Sequence, residues 1–334
     1  MSVAVLNNLA YLLQSGPGAV VNLLMFGAIA RYPALRESNA HLCLGALALA
    51  EGLHQLGFVC AGIYRTYLLV TDSYQNNFTA LHCMLTPHNM IWVFSDIFNS
   101  VMLAVVSVDR LVCMSMALKY IAKTPQIGKL LTYSAALYSL VSALVGIANS
   151  VSKNGAADQK AFCLLMSAVG LGFARFVGLS RQIFPLLSVL IYLVLLSKYK
   201  KLVTKTAPIL QARNTGGRVS LVRISQVSTT GMTEQQQQLH RQKKLTKSVA
   251  LTCLCTFCLF QAPMLVAGML ALLNSRVLKD GGVWAVRIVI YSYYIRNFHP
   301  IANAVIYLKR HRELRKAVKA FIQNKHLPDA LNLW

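Results

Sequence analysis

Seven stretches of this chain, at roughly 6–30, 39–65, 83–113, 129–151, 173–197, 246–273 and 283–307, are apolar over about the ~18 residues or more that a bilayer-crossing helix requires. No other feature restricts the fold so severely. Lipid offers no partner to a backbone N–H or C=O, so each stretch must satisfy its own hydrogen bonds as a helix. The expected fold is therefore an all-α membrane protein, a seven-transmembrane helix bundle. Composition agrees, since 56% of the 334 residues are hydrophobic and only 13% are charged.

The net charge of +23 could suggest nucleic acid, but its placement argues otherwise. Arg31 and Arg36 follow the first run, and Lys119, Lys123 and Lys129 follow the third. Eleven basic residues from Lys198 to Lys247 separate the fifth and sixth runs, and seven from Lys309 to Lys325 follow the last. If the runs alternate across the membrane, all four segments share one side, and an excess of Lys and Arg marks that side as cytoplasmic. The amino terminus is then extracellular and the carboxyl terminus cytoplasmic. Membrane topology and anionic lipid account for the charge, so no nucleic-acid partner is expected.

The segments between the runs fit this orientation. The sequon Asn77-Phe78-Thr79 falls in an outward connection and makes Asn77 a glycosylation candidate. Cys83 and Cys163 also fall outward, where a disulfide can persist. Residues 1–307 form the bundle, within which 199–243, carrying a Gln235–Gln238 run, reads as a disordered inner loop. Over 308–322, Leu314, Ala317, Val318 and Phe321 recur at helical spacing among basic residues, which describes an amphipathic helix on the inner surface. Residues 323–334 are a short tail.

The third run ends in SVDRLVCMSMALKY, where Asp109 and Arg110 stand side by side at the inner membrane edge. Further on, NAVIYLKRHRELRKA places Asn303 and Tyr307 just before the amphipathic segment. In this order the two stretches resemble the rhodopsin-like G-protein-coupled receptors, whose third helix ends in Asp-Arg-Tyr and whose seventh carries Asn-Pro-x-x-Tyr before a basic eighth helix. LALAEGL around Glu51 is similar to the second-helix motif that normally holds Asp; Asn22 stands in place of the first-helix Asn. Pro185 and Pro263 match prolines of the fifth and sixth helices. The chain departs from the pattern at Leu111, at Ala304, at Gln261 where a switch Trp is usual, and at Lys243 where a latching Glu is common. Such drift is similar to that of nematode-type serpentine chemoreceptors.

The resemblance implies a Cys83–Cys163 bridge, a G-protein switch through Asp109, Arg110, Pro263, Asn303 and Tyr307, and a heterotrimeric G protein as partner. A central polar network of Asn22, Glu51, Asn99 and His299 is expected with Asn303, because polar groups at that depth are costly unless paired. No cofactor, metal or enzymatic activity is expected. A neuropeptide receptor of the same superfamily is the alternative reading, and a transporter or channel lies further off.

The ligand class follows from basic residues that are not in loops. Arg181 lies about one turn before Pro185 and Arg296 about two turns before Asn303, both well inside the membrane at ~1.5 Å per residue. Asp96 is the one acid in the outer half of the third run. Amine receptors carry an acid about one turn above, where this chain has Trp92. Two readings stay open at this point. Either Arg181, Arg296, Trp92 and Gln261 hold a small anionic ligand, or the arginines pair structurally with Asp96.

Overall fold

The computed structural model describes residues 3–115, 117–153, 159–161, 163, 165–215, 251, 254–263, 265–266, 291–292 and 294–325. Long helices account for most of them: α1 (Val3–Arg31), α3 (Asn39–Val70), α5 (Pro87–Ser115), α6 (Ala117–Ser152) and α8 (Leu171–Thr215). Short helices α2 (Pro33–Arg36), α4 (Ala80–Met84) and α7 (Leu165–Val169) lie between them. Five spans are long and apolar enough to cross a membrane: Asn8–Arg31, Asn39–Val70, Pro87–Cys113, Gln126–Ser152 and Leu171–Ser197. The chain is an all-α membrane protein. The sixth and seventh expected spans are described only in part. What is described of them is helical around a wide π turn at Phe257–Gln261, and helical again in α9 (His299–Arg310), followed by α10 (Arg312–Ile322).

Burial sorts the spans into centre and rim. About three quarters of the apolar windows of α3 (72%) and α5 (78%) are buried, against 22% for α6 and 28% for α8. Helix α5 packs against α3, α6 and α8, and α3 packs against α1. The outer helices turn Leu137, Leu140, Leu144, Leu179, Ile183 and Leu190 outward. In water such faces would be a liability, whereas against lipid tails they need no cover.

Two hydrophobic clusters fill the two halves of the bundle. One, with Met25, Leu47, Met102, Leu314 and Val318, joins α1, α3, α5, α9 and α10 at the end that carries the basic residues, the basic end. The other, with Cys83, Val93, Ile97, Val169 and Phe173, lies at the opposite end around the Cys83–Cys163 disulfide, the disulfide end. Helix α10 buries Leu314, Ala317 and Val318 and leaves Arg312, Arg315, Lys316 and Lys319 exposed, the distribution expected from its periodicity. It lies on α1. Phe321 comes so near Gly27 that a Cβ there would stand 2.8 Å from its ring, and the Tyr32 hydroxyl donates to the Lys325 carbonyl at 2.9 Å.

Three boundaries differ from the sequence reading. The third span begins at Pro87 rather than Cys83, because the chain breaks between α4 and α5; a residue before proline is held out of the helical region, and Thr86 instead turns its hydroxyl to the Cys83 carbonyl at 2.7 Å. The second span continues past Arg65 to Val70. Helix α8 continues to Thr215, well into the segment read as a disordered loop; the Lys, Leu, Gln and Ala there favour the helix, which carries Pro208 in its interior. Residues 216–250 lie outside the described residues.

Candidate functional site

The disulfide end is capped by chain that the bundle ties down at several points. Residues Asn77–Phe78 pair antiparallel with Gln159–Lys160 in a two-residue ladder, with Asn77 opposite Lys160. Asn89 near the start of α5 donates from Nδ2 to both the Cys83 and Cys163 carbonyls, at 2.9 and 2.8 Å. The Tyr64 hydroxyl reaches the Ala161 carbonyl at 3.1 Å. Asn77 itself is exposed.

Beneath this cap is a cavity of about 350 Å³, within the ~300–1,000 Å³ of small-molecule pockets. It is lined by apolar residues of α3, α5, α7 and α8, and Asp96, Arg181 and Arg296 converge on it. Asp96 is shared. Its Oδ2 accepts from Arg181 at 3.1 Å and its Oδ1 accepts from Arg296 at 2.5 Å, all three side chains being largely buried. Of the two readings left open by the sequence, the structural pairing is therefore realised.

His54 of α3 completes the group. Its Nε2 lies 2.9 Å from an Arg296 nitrogen, and since guanidinium can only donate, this ring nitrogen accepts. The proton of the neutral ring then sits on Nδ1, which approaches Asp96 Oδ1 at 3.2 Å. His54 did not figure in the sequence reading. A signal existed: Glu51, His54, Gln55, Phe58 and Arg65 fall on one face of a 3.6-residue period.

Trp92 packs edge-on against Phe58, at 4.9 Å between ring centroids, and against His88 at 5.6 Å. Its place depends on Gly57, where a Cβ would stand 2.5 Å from the indole Cδ1. Over the indole stands Arg65, its guanidinium carbon 5.7 Å from the ring centroid. Arg65 also escaped the sequence reading, which closed the second span at that residue and so made it an edge charge. With the helix continuing to Val70, Arg65 lies about 8 Å inside the helix end at ~1.5 Å per residue. The Gln261 side chain lies outside the described residues.

Midway down the bundle, Asn303 Nδ2 donates to Glu51 Oε1 at 2.6 Å and lies 3.0 Å from His299 Nε2. Thr256, just before the π turn, bonds the same His299 nitrogen at 2.8 Å, which joins the helical segment around that turn to α9. Asn22 Nδ2 donates to the Gly18 and Pro300 carbonyls at 2.9 and 3.3 Å, tying α1 to α9. Four of the expected members thus meet here. Asn99 is buried nearby in α5 but forms no hydrogen bond with them. The π turn precedes Pro263, whose missing N–H removes the α-type bond to Leu259 and lets the turn widen.

At the basic end, Arg110 lies 3.5 Å from its neighbour Asp109 and borders a small recess with His41, Tyr307 and His311. Asp109 is buried, so the pair is not an ordinary surface contact. Leu111 packs against Tyr192 and Leu195 of α8 in place of a motif tyrosine. Ser107 and Ser188 tie the same two helices by a short hydroxyl contact. Lys243 lies outside the described residues.

Comparison of the chain with family models and with curated proteins finds no match.

Proposed function

We propose that this chain is a rhodopsin-like, seven-helix G-protein-coupled receptor of the plasma membrane, of the nematode-type chemosensory kind, that detects a small extracellular ligand. The observation that carries the reading is the construction of α5. Near one end it places Asp96 on a small-molecule-sized cavity under a disulfide-tied cap, and ~20 Å along the same helix it places Asp109 and Arg110 beside Tyr307.

Such a helix can link two sites by population shift. A ligand that binds better when the helices close on Asp96 favours one arrangement of the bundle, and the same arrangement alters what surrounds Arg110 at the far end. The Thr256–His299–Asn303–Glu51 chain lies between the two and bridges the segments that would have to separate for a G protein to enter. In this orientation the disulfide end faces outward, with Asn77, and the basic end faces the cytoplasm. A cavity of about 350 Å³ favours a small ligand over the neuropeptide alternative.

The test is a ligand screen in cells reporting several G-protein pathways, repeated with Arg110→Ala at matched surface expression. A response that Arg110→Ala abolishes supports the reading, and a response unchanged in that variant overturns it. An amino-terminal epitope accessible in intact cells supports the orientation; labelling of the carboxyl terminus overturns it.

A further inference from the structure

We infer that Arg65 is the anchor of the cavity for an organic anion, a carboxylate on an apolar body, with the acid group seated between Arg65 and the cap. The inference deepens the receptor reading and rests on it for the side from which a ligand arrives.

The cavity has an unequal charge inventory. Arg65, Arg181 and Arg296 line it, while Asp96 is its one carboxylate among the described lining residues, and His54 is neutral as an acceptor from Arg296. Both oxygens of Asp96 are already engaged, Oδ2 by Arg181 and Oδ1 by Arg296, and its ion pairs are with these two arginines rather than with Arg65. Arg65 is different from the other two. It lies over the Trp92 face, with the Tyr11 and Tyr64 hydroxyls near enough to act on its charge, but no carboxylate pairs with it and its buried Nε has no acceptor among the described residues. A cation–π contact offsets only part of the cost of holding a guanidinium inside a membrane helix. An acid group entering the cavity would supply the missing acceptor, in the forked geometry that guanidinium offers and ammonium does not.

The rest of the lining selects the body of such a ligand. Phe58, Val169 and Val177 present a ring and branched alkyl groups, which gain by burying apolar surface and offer no hydrogen bonds to a polar head, and Trp92 adds an indole whose buried Nε1–H has no acceptor among the described residues. A cationic amine meets three guanidiniums and one carboxylate that is already shared, so it is repelled rather than held.

The experiment uses the purified full-length protein in phosphatidylcholine nanodiscs and follows thermal unfolding with two matched triplets: indole acetate, indole acetamide and tryptamine, and octanoate, octanamide and octylamine. The acid of at least one triplet is expected to raise the unfolding midpoint with an affinity at least about ten-fold above its amide, and the amine to give no shift. Arg65→Gln is expected to weaken binding of that acid about ten-fold or more while leaving the ligand-free midpoint unchanged or higher, because it removes a charge without a carboxylate partner. Arg65→Lys recovers only part of the affinity. An amine or amide binding as well as its acid, no binding by either acid, or full affinity in Arg65→Gln would each overturn the inference. So would an Arg65-dependent rise in midpoint produced by phosphatidylglycerol discs alone, since the acceptor would then be a lipid headgroup. Acid binding that depends on Arg65 but evokes no G-protein response would leave this site standing and remove the receptor reading. A cationic agonist indifferent to Arg65→Gln would do the reverse.

Discussion

The indole of Trp92 rests directly on the backbone of Gly57: a Cβ at that glycine would stand 2.5 Å from Cδ1 and 2.6 Å from Nε1. The contact lets α3 and α5 close at the floor of the cavity, and it sets the ring on which Arg65 lies.

Gly57→Ala should therefore displace the indole and lower stability by about 1–3 kcal/mol through overpacking. Gly172→Ala in α8 is the control, since nothing lies within 4 Å of its missing Cβ, and alanine there should be neutral or gain up to about 1 kcal/mol in helix propensity. Thermal unfolding of the two purified variants compares them directly. Equal stability would mean that the close approach does not constrain the bundle.

Asp96 holds two arginines, so its removal should cost more than that of either partner. Asp96→Asn leaves two largely buried guanidiniums without their shared charge, for a loss of about 3–5 kcal/mol. Adding Arg181→Gln to Asp96→Asn should recover part of that loss by removing one of the orphaned charges. Surface expression and unfolding midpoint read the effect, and a double variant no better than Asp96→Asn would count against the shared pairing.

Glu51 and Asn303 are coupled across the bundle by a 2.6 Å hydrogen bond at a depth where water offers no substitute. A double-mutant cycle with Glu51→Ala and Asn303→Ala is expected to give an interaction energy of about 1–3 kcal/mol. Additive losses would show that the two side chains act independently.

The cap should respond in two steps of different size. Asn89→Ala exposes the Cys83 and Cys163 carbonyls to an empty site at a cost of about 1–3 kcal/mol. Cys83→Ser opens a loop closed over a sequence separation of 80, which the chain-entropy account values at about 4 kcal/mol. Limited proteolysis of the 153–165 segment in the intact protein should rank the variants in that order; a more protected Cys83→Ser protein would contradict it.

The sequence made the spans visible because hydrophobic length is a local property, and it made Asp96, Arg181 and Arg296 visible because charge inside an apolar run is conspicuous. It could not say that one carboxylate serves both arginines, which depends on how α5, α8 and the segment before α9 face one another. Arg65 was missed for a related reason. Its meaning rests on where α3 ends, and helix ends in a membrane are set by packing and caps rather than by hydropathy alone. The break at Leu85–Pro87 was legible in principle from the proline, but a continuous apolar pattern outweighed it. Thr256 carried no signal beyond being a hydroxyl in an apolar run, and only the approach of His299 gives it a role.

The contact between α1 and α10 has a bearing on how the protein is made. The groove around Gly27 leaves the ribosome early, while Phe321, which fills it, and Lys325, whose carbonyl receives the Tyr32 hydroxyl, are synthesised nearly 300 residues later. For most of translation the first span therefore sits in the bilayer with an unoccupied seat. A product cut short before α10 would keep that groove open to lipid and leave the Tyr32 hydroxyl without the Lys325 carbonyl.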